Sequence, residues 1–310
     1  MNRIAVIGAG AIAKTHIKAY KYIKDAKICA IVDCNIERAK KVAEICNANY
    51  YVSFDEMVLQ ENVNIIDICL PSYLHKEYIL KAFKYEKDVL CEKPLALKLE
   101  DAEVILSEKK RCKRKLMIAH CLRFAEEYKY LKHSIDKNRY GKLLHIRLYR
   151  NVSIPREQEN TWLFDKEKSG GILFDLYIHD LDILYYLLGC PQKSVTYESE
   201  RFVSGIFAYE GLNCIIESAW RPQKKYDFLA GYDAVFEEVT ISNRNGIIEI
   251  TNDKNREDVH LESDAGQIEE DYLKMYFNEI NYFLDCVKNN KEPSQCCIED
   301  NIEVLKMICK

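Results

Sequence analysis

Short apolar runs alternate with amphipathic stretches through the first third of the chain. Ile4-Ala5-Val6-Ile7 predicts a buried strand, Ala11 to Tyr20 a helix and Lys27 to Val32 a second strand. The alternation continues through a strand at Asn64–Leu70, a helix reaching Tyr85, a strand at Asp88–Cys91, a helix at Leu99–Arg111 and a strand at Leu116–Ala119. Strands alternating with helices predict a doubly wound parallel sheet. Beyond it the pattern changes. A linking helix at Glu126–Ile135 and a strand at Lys142–Arg150 are followed by a polar loop, then by an apolar-periodic helix that ends at Leu188, before Gly189 and Pro191. Period-two runs at Gly205–Tyr209, Cys214–Trp220, Val235–Ser242 and Ile247–Thr251 predict strands, with Asn245-Gly246 a hairpin turn. Residues 252–270 are polar and predict a loop, and Tyr272–Val287 and Ile298–Ile308 predict two closing helices. There is no internal repeat. Two domains are expected, at 1–121 and 122–310.

The first turn carries chemistry. Gly8-Ala9-Gly10-Ala11-Ile12-Ala13 reads G-x-G-x-x-A between a strand and a helix, the context in which this spacing has a mechanism. The first glycine permits a tight turn, the second lets a pyrophosphate approach the backbone, and the small Ala13 allows close packing of helix on strand. The helix N-terminus offers N–H groups and a positive dipole end to the phosphates. The second strand ends in Asp33, twenty residues past Ala13, where a carboxylate can bind the ribose 2′-hydroxyl of NAD. Arg38 is placed to hold a 2′-phosphate, so NADP stays open. Asp33, Pro71 and Lys93 all fall at the carboxyl ends of predicted strands, the rim where such sheets bind ligands. Lys93 precedes Pro94, which biases it toward an extended conformation that projects its ammonium from the strand end.

A second constellation lies at Ser169–Asp180. Gly170-Gly171 opens the helix that ends at Leu188, and Ser169 is placed to cap its first turn. On a regular helix Asp175 and His179, at i and i+4, share a face. A carboxylate beside an imidazole can set its tautomer and raise its basicity, as a general base near neutral pH requires.

Composition narrows the classes. With 310 residues, 48% hydrophobic and 30% charged, the chain is an ordinary globular protein of about two domains. Its net charge of −4 gives no footprint for nucleic acid. No apolar run approaches the roughly 20 residues of a membrane helix, and Asp67 breaks the best candidate. Thirteen cysteines, odd in number and scattered from Cys29 to Cys309, show no zinc spacing and predict reduced thiols in a cytoplasmic protein, with no metal site. Arg3 and apolar Ile4 to Ala13 imitate a short signal peptide, but Gly8 and Gly10 split the apolar stretch, and the odd cysteine count also argues against export.

Together, Gly8 to Ala13, Asp33, Leu70-Pro71 with His75, Glu92-Lys93-Pro94, Arg123-Phe124 and the run Ser169–Asp180 resemble the Gfo/Idh/MocA family of glucose-fructose oxidoreductase and inositol dehydrogenase relatives. The resemblance covers nearly the whole chain. It implies a Rossmann dinucleotide-binding domain (1–121), then an α+β substrate-binding and oligomerisation domain (122–310) on a mostly antiparallel open sheet, whose outer face would form a homodimer or homotetramer. It implies that Lys93, Asp175 and His179 are catalytic. Gly8, Gly10, Ala11, Ile12, Asp33, Leu70, Pro71, His75, Glu92 and Lys93 would contact NAD(P). His120, Arg123 and Trp162 would face the substrate, with core or packing roles open for His120 and Trp162. The family often has glycine at Tyr177. Two helical steps turn about 200°, so Tyr177 points away from the Asp175–His179 face, either to pack or to narrow the site. The implied activity is hydride transfer between NAD(P) and a secondary alcohol or ketone of a sugar, cyclitol or derivative. His179 would take the hydroxyl proton while an ammonium and an imidazole from the two domains converge on the nicotinamide. The alternatives are a dinucleotide-binding sensor without turnover, and a reductase or lyase that recycles a retained cofactor.

Overall fold

A computed structural model of the chain describes residues 1–155, 161–261, 263 and 265–308. Part of the polar stretch expected as a loop before Trp162, and Cys309, lie outside them. The chain divides into two compact units, Met1–Phe124 with Ser263–Leu305 and Ala125–Glu262 with Lys306–Lys310.

The first unit begins β1 (Asn2–Ile7), α1 (Ala11–Tyr20), β2 (Ala26–Val32), α2 (Ile36–Cys46), β3 (Asn49–Tyr51), α3 (Phe54–Gln60) and β4 (Ile65–Ile68). It continues through α4 (His75–Lys84), β5 (Asp88–Glu92), α5 (Leu99–Cys112), β6 (Leu116–Ala119) and a 3₁₀ turn, Cys121–Phe124. The six strands form one parallel sheet in the order β3-β2-β1-β4-β5-β6. Its central strands β1 and β4 are buried along almost their whole length, so their cores read as short apolar runs, interrupted in β4 by the buried Asp67. The order reverses between β1 and β4, the crevice where such sheets take their ligands.

The second unit holds α6 (Glu126–Asp136), β7 (Leu143–Ser153), a 3₁₀ turn at Thr161–Phe164 and α7 (Lys166–Ser169). A π turn, Leu173–Tyr177, runs into α8 (Ile178–Leu188). Seven strands follow: β8 (Lys193–Glu198), β9 (Phe202–Tyr209), β10 (Leu212–Arg221), β11 (Leu229–Phe236), β12 (Thr240–Arg244), β13 (Ile247–Thr251) and β14 (Arg256–Val259). With β7 they form one sheet ordered β14-β13-β12-β11-β7-β10-β9-β8, antiparallel except for the pair β7–β10. Ile146, Leu148, Phe207, Cys214, Ile216, Ala234 and Ile241 are buried. The cross-strand row on the opposite face runs Val195, Ile206 and Ile215, then Arg147 and Asp233.

Several expectations change. The strand expected at Val235–Ser242 is two strands, because Phe236 N–H donates to Val239 O at 2.8 Å and turns the chain. The polar stretch 252–270 contains β14, and β3 and β8 were not foreseen. The chain after 262 returns to the first unit through α9 (Asp271–Lys288), a 3₁₀ turn at Ser294–Cys296 and the start of α10 (Ile298–Ile308). Leu273, Ile280, Phe283 and Leu284 of α9 share one core cluster with Ile17 and Tyr20 of α1 and Ile4 and Val6 of β1. The apolar stripe of α9 finds its partner there, so the second unit does not extend unbroken from 122 to 310.

All twelve cysteines among the described residues are free thiols, and no helix among them is long and apolar enough to cross a membrane.

Candidate active site

The carboxyl ends of β1, β2, β4 and β5 bring the expected dinucleotide residues to one rim of the first unit. Gly8 follows β1 at φ +98°, and a Cβ there would come within 2.4 Å of the Cys69 carbonyl oxygen, so conformation and space both demand glycine. Gly10 caps α1 without a side-chain hydrogen bond, and a Cβ added to it would meet nothing within 4 Å. The first turn of α1, from Ala11 through Ile12 to Ala13, therefore has no side-chain cap on its N–H groups, a setting that suits a pyrophosphate. Ala13 is wholly buried against the sheet.

Asp33 closes β2. Its Oδ2 accepts from Ala9 N–H (2.9 Å) and Arg38 Nε (3.0 Å), and its Oδ1 from Asn35 N–H (2.8 Å) and Arg38 Nη2 (2.7 Å). Burial would raise its pKa, but Arg38 and the two backbone donors outweigh burial and hold the carboxyl below its usual range. The acid and the base read as alternatives for the ribose end are thus one ion pair, with the arginine side chain 48% exposed.

Leu70 and Pro71 follow β4. His75, wholly buried, spans two carbonyl oxygens, Pro94 O from Nδ1 (2.6 Å) and Leu70 O from Nε2 (2.9 Å). Burial lowers its pKa against the pull of both carbonyls. It is a strut joining the exits of β4 and β5. Glu92 also turns inward, and its Oε1 lies 3.0 Å from His16 Nε2. Lys93, partly exposed and joined to Pro94 by a cis peptide, is left as the charged side chain of that turn that reaches the surface.

His120, read as either substrate-facing or core, and Arg123, expected at the substrate, are buried inside the first unit. His120 Nε2 lies 2.8 Å from Asn301 Oδ1, while Arg123 Nη1 donates to Gln295 O (2.6 Å) and Asp300 Oδ2 (2.7 Å). This geometry fastens the returning segment to the end of β6.

In the second unit, Gly170 and Gly171 both sit at positive φ before the π turn. Asp175 lies in that turn and His179 in the first turn of α8, so the regular helix expected here starts with a widened turn, a feature common at functional sites. Ser169 does not cap it: the hydroxyl donates to Leu163 O at 2.7 Å and accepts from Gly171 N–H at 2.9 Å. From 171 to 184 every residue is buried except Leu173, Asp175 and His179, which are partly exposed. Trp220, near the end of β10, donates Nε1–H to Asp175 Oδ2 at 3.2 Å, and its ring lies 6.0 Å from that of Phe164. Nothing local in the sequence marks Trp220, which stands 45 residues from its partner. Trp162, in the turn that carries Phe164, is half-buried. Tyr177 is buried, with its hydroxyl 3.4 Å from Thr196 Oγ1 in the space that a Cβ at Gly205 would need. It packs on the sheet.

Beside His179, Asp180 is wholly buried against Arg150 of β7, with Nε–Oδ2 3.1 Å and Nη2–Oδ1 3.0 Å. Burial raises the Asp180 pKa even though Arg150 pulls it down.

A parallel sheet with an uncapped glycine turn, and a second unit whose π turn and helix hold Asp175 and His179 above an open sheet, define a two-unit protein of the dinucleotide-binding fold class. Residues 2–120 match the model described as the oxidoreductase family, NAD-binding Rossmann fold, and residues 128–228 match that of the GFO/IDH/MocA C-terminal domain. The chain belongs to the Gfo/Idh/MocA family. It is 32% identical over 190 residues to glucose-6-phosphate 3-dehydrogenase of Bacillus subtilis, covering 60% of this chain and 54% of that protein. It is 31% identical over 188 residues to myo-inositol 2-dehydrogenase of Thermotoga maritima, covering 60% and 55%. The chain thus matches about half the length of these curated relatives. An oxidoreductase from Agrobacterium radiobacter, solved with NAD+, L-tartaric acid and magnesium, shares the fold with a TM-score of 0.82 at 19% identity, covering 99% of this chain and 94% of that one.

Proposed function

We propose that this chain is an NAD(P)-dependent oxidoreductase that interconverts a secondary alcohol and a ketone on a sugar, cyclitol or sugar derivative. The observation that carries this reading is the pairing of an uncapped Gly8–Ala13 turn with a half-exposed Asp175 and His179 in an otherwise buried segment. Gly8, Gly10, Ala11 and Ile12 would hold the pyrophosphate of the cofactor, Asp33 and Arg38 the adenosine ribose, and Leu70, Pro71 and Lys93 the nicotinamide end. When bound, NAD(P) supplies the hydride acceptor. His179 takes the hydroxyl proton, Asp175 orients its ring, and Lys93 donates a hydrogen bond to the oxygen as negative charge develops on it. The outward sheet face, apolar at Val195, Ile206 and Ile215, serves self-association into a dimer or tetramer.

The test is a panel of polyols, sugars and sugar phosphates, headed by myo-inositol and glucose 6-phosphate, offered with NAD+ and NADP+ while the reduced nicotinamide band is followed. Turnover of one member supports the reading. Tight NADH binding with no turnover of any member would replace it with a dinucleotide sensor.

Two further outcomes are expected. All the usual acceptor positions of Asp33 are filled, two of them by Arg38, so a ribose hydroxyl must compete with the guanidinium. Arg38→Ala should therefore shift preference from NADPH toward NADH by about tenfold, read as the ratio of dissociation constants in a fluorescence titration. Trp220→Phe keeps an aromatic ring but loses the indole N–H that donates to Asp175. It should lower kcat by about tenfold, the worth of one hydrogen bond to a charged group, with NADH affinity and melting temperature nearly unchanged.

A further inference from the structure

His16 lies on the packed face of α1 and is wholly buried. Its Nδ1 stands 2.9 Å from Asp67 Oδ2 and 3.2 Å from Oδ1, and its Nε2 stands 3.0 Å from Glu92 Oε1. Ionised carboxylates only accept hydrogen bonds, so the ring satisfies both when each nitrogen carries a proton. Burial works against that charge, but Asp67 and then Cys69 outweigh it and raise the His16 pKa well above its ordinary value. Burial likewise opposes ionisation of Glu92, yet His16 and Lys93 hold its carboxyl below the usual range.

Titratable groups reach His16 from four elements. Tyr20 shares α1 with His16 and faces Asp67 of β4 and Cys69 just after it. Cys91 and Glu92 come from β5. From α9, the Tyr276 ring lies 5.9 Å from the imidazole, and Tyr276 faces Glu92, Glu279 and Cys121. The donor atoms of His16, Asp67 and Cys69 lie within 4.8 Å of one another, as metal ligands would. With both ring nitrogens protonated, however, the imidazole has no lone pair to give a cation, and a proton does the neutralising.

The second oxygen of Glu92 carries the argument outward. Oε2 accepts the backbone N–H of Lys93 at 3.2 Å, while His75 holds the Pro94 carbonyl one residue further on. We propose that His16 is the positioning residue for Lys93: a buried imidazolium that locks the Glu92 carboxylate, and through it the main chain from which Lys93 projects. This rests on the reading of Lys93 as a group that touches substrate. Without the cation, Asp67 and Glu92 face each other across a low-dielectric pocket, and Glu92 leaves its place under the Lys93 amide. The loss falls on alignment during reaction and spares the pyrophosphate site at Gly8–Ala13.

The test measures kcat, KM and the NADH dissociation constant for His16→Gln, Glu92→Gln, the double variant and Lys93→Met, using NAD+ with myo-inositol and glucose 6-phosphate. His16→Gln should lower kcat by about 10–100-fold, the effect of a small misplacement of a reacting group. The double variant should match Glu92→Gln alone within about twofold, because the two residues act as one unit. NADH affinity of His16→Gln should stay within about twofold of wild type, because His16 is buried away from the Gly8–Ala13 turn and shares no partner with it. In the wild-type enzyme, nitrogen NMR should find both ring nitrogens of His16 protonated at pH 8. Should His16→Gln fail to fold, the nearly isosteric Glu92→Gln carries the test with the same expected loss of kcat. Wild-type kcat in a folded His16→Gln or Glu92→Gln variant, independent multiplication of the two effects, or a neutral His16 ring would each overturn the proposal. If Lys93→Met abolishes turnover while the His16 and Glu92 variants retain it, only the positioning role falls. If Lys93→Met retains turnover, the assignment of Lys93 falls, and this proposal with it.

Discussion

Alanine at His179 should lower kcat by about 10²–10⁴-fold, the usual worth of a general base, while leaving NADH affinity unchanged. His179 is a fitting target because its surroundings make substitution cheap: it is partly exposed, and the residues that anchor its helix, Ile178, Asp180 and Leu181, are buried and untouched. The fall in turnover can then be read as lost chemistry. The pH–rate profile separates the role of base from that of orienting donor. With a base removed, the acid limb of kcat/KM should disappear and the residual rate should climb with hydroxide. A profile of unchanged shape at a merely lower plateau would reassign His179 to positioning.

Methionine at Arg150 should destabilise the second unit by about 3–5 kcal/mol in urea unfolding, the typical loss when one partner of a buried ion pair is removed. Arg150 makes two hydrogen bonds to Asp180, whose side chain is 0% exposed, so the substitution strands a carboxylate where water cannot reach it. The sign of the pH dependence follows. Burial already raises the folded-state pKa of Asp180, and losing Arg150 raises it further. A folded state that holds its proton more tightly gains stability as pH falls through that raised value toward the unfolded value of about 3.9. The variant should therefore recover stability on acidification, and Arg150→Met with Asp180→Leu should recover much of it at neutral pH. Equal destabilisation of the variant across that range would show that lost packing, not stranded charge, is responsible.

What the sequence discloses is governed by distance along the chain. The Gly8–Ala13 turn, Asp33 and five of the six strands of the parallel sheet are legible because each rests on neighbours within one strand–helix step. The Asp175–His179 pair is legible for the same reason, although its helix was expected to be regular and begins with a π turn. Edge strands are poorly legible: β3 has three residues, β8 is almost wholly exposed, and neither shows the alternation that a half-buried strand must have. Trp220 and His16 act through partners 45, 51 and 76 residues away. The one local hint for His16 is a polar ring among Ala13, Ile17 and Tyr20 on the packed face of α1. Arg123 is expected at the substrate and His120 at the substrate or in the core, and the return of Asn301 and Asp300 shows partners for both that no local signal announces.

That return sets a timetable for the molecule's making. The apolar flank of α1 is covered by α9, which begins about 250 residues after α1 ends. At roughly 5–20 residues per second, a ribosome needs about 12–50 s to supply that cover. Throughout the interval the nascent first half lacks the cover that α9 gives Ile17 and Tyr20, while residues 125–262 emerge behind it. The last long helix is therefore the latch that closes this flank, and until it arrives the bare apolar surface is open to aggregation.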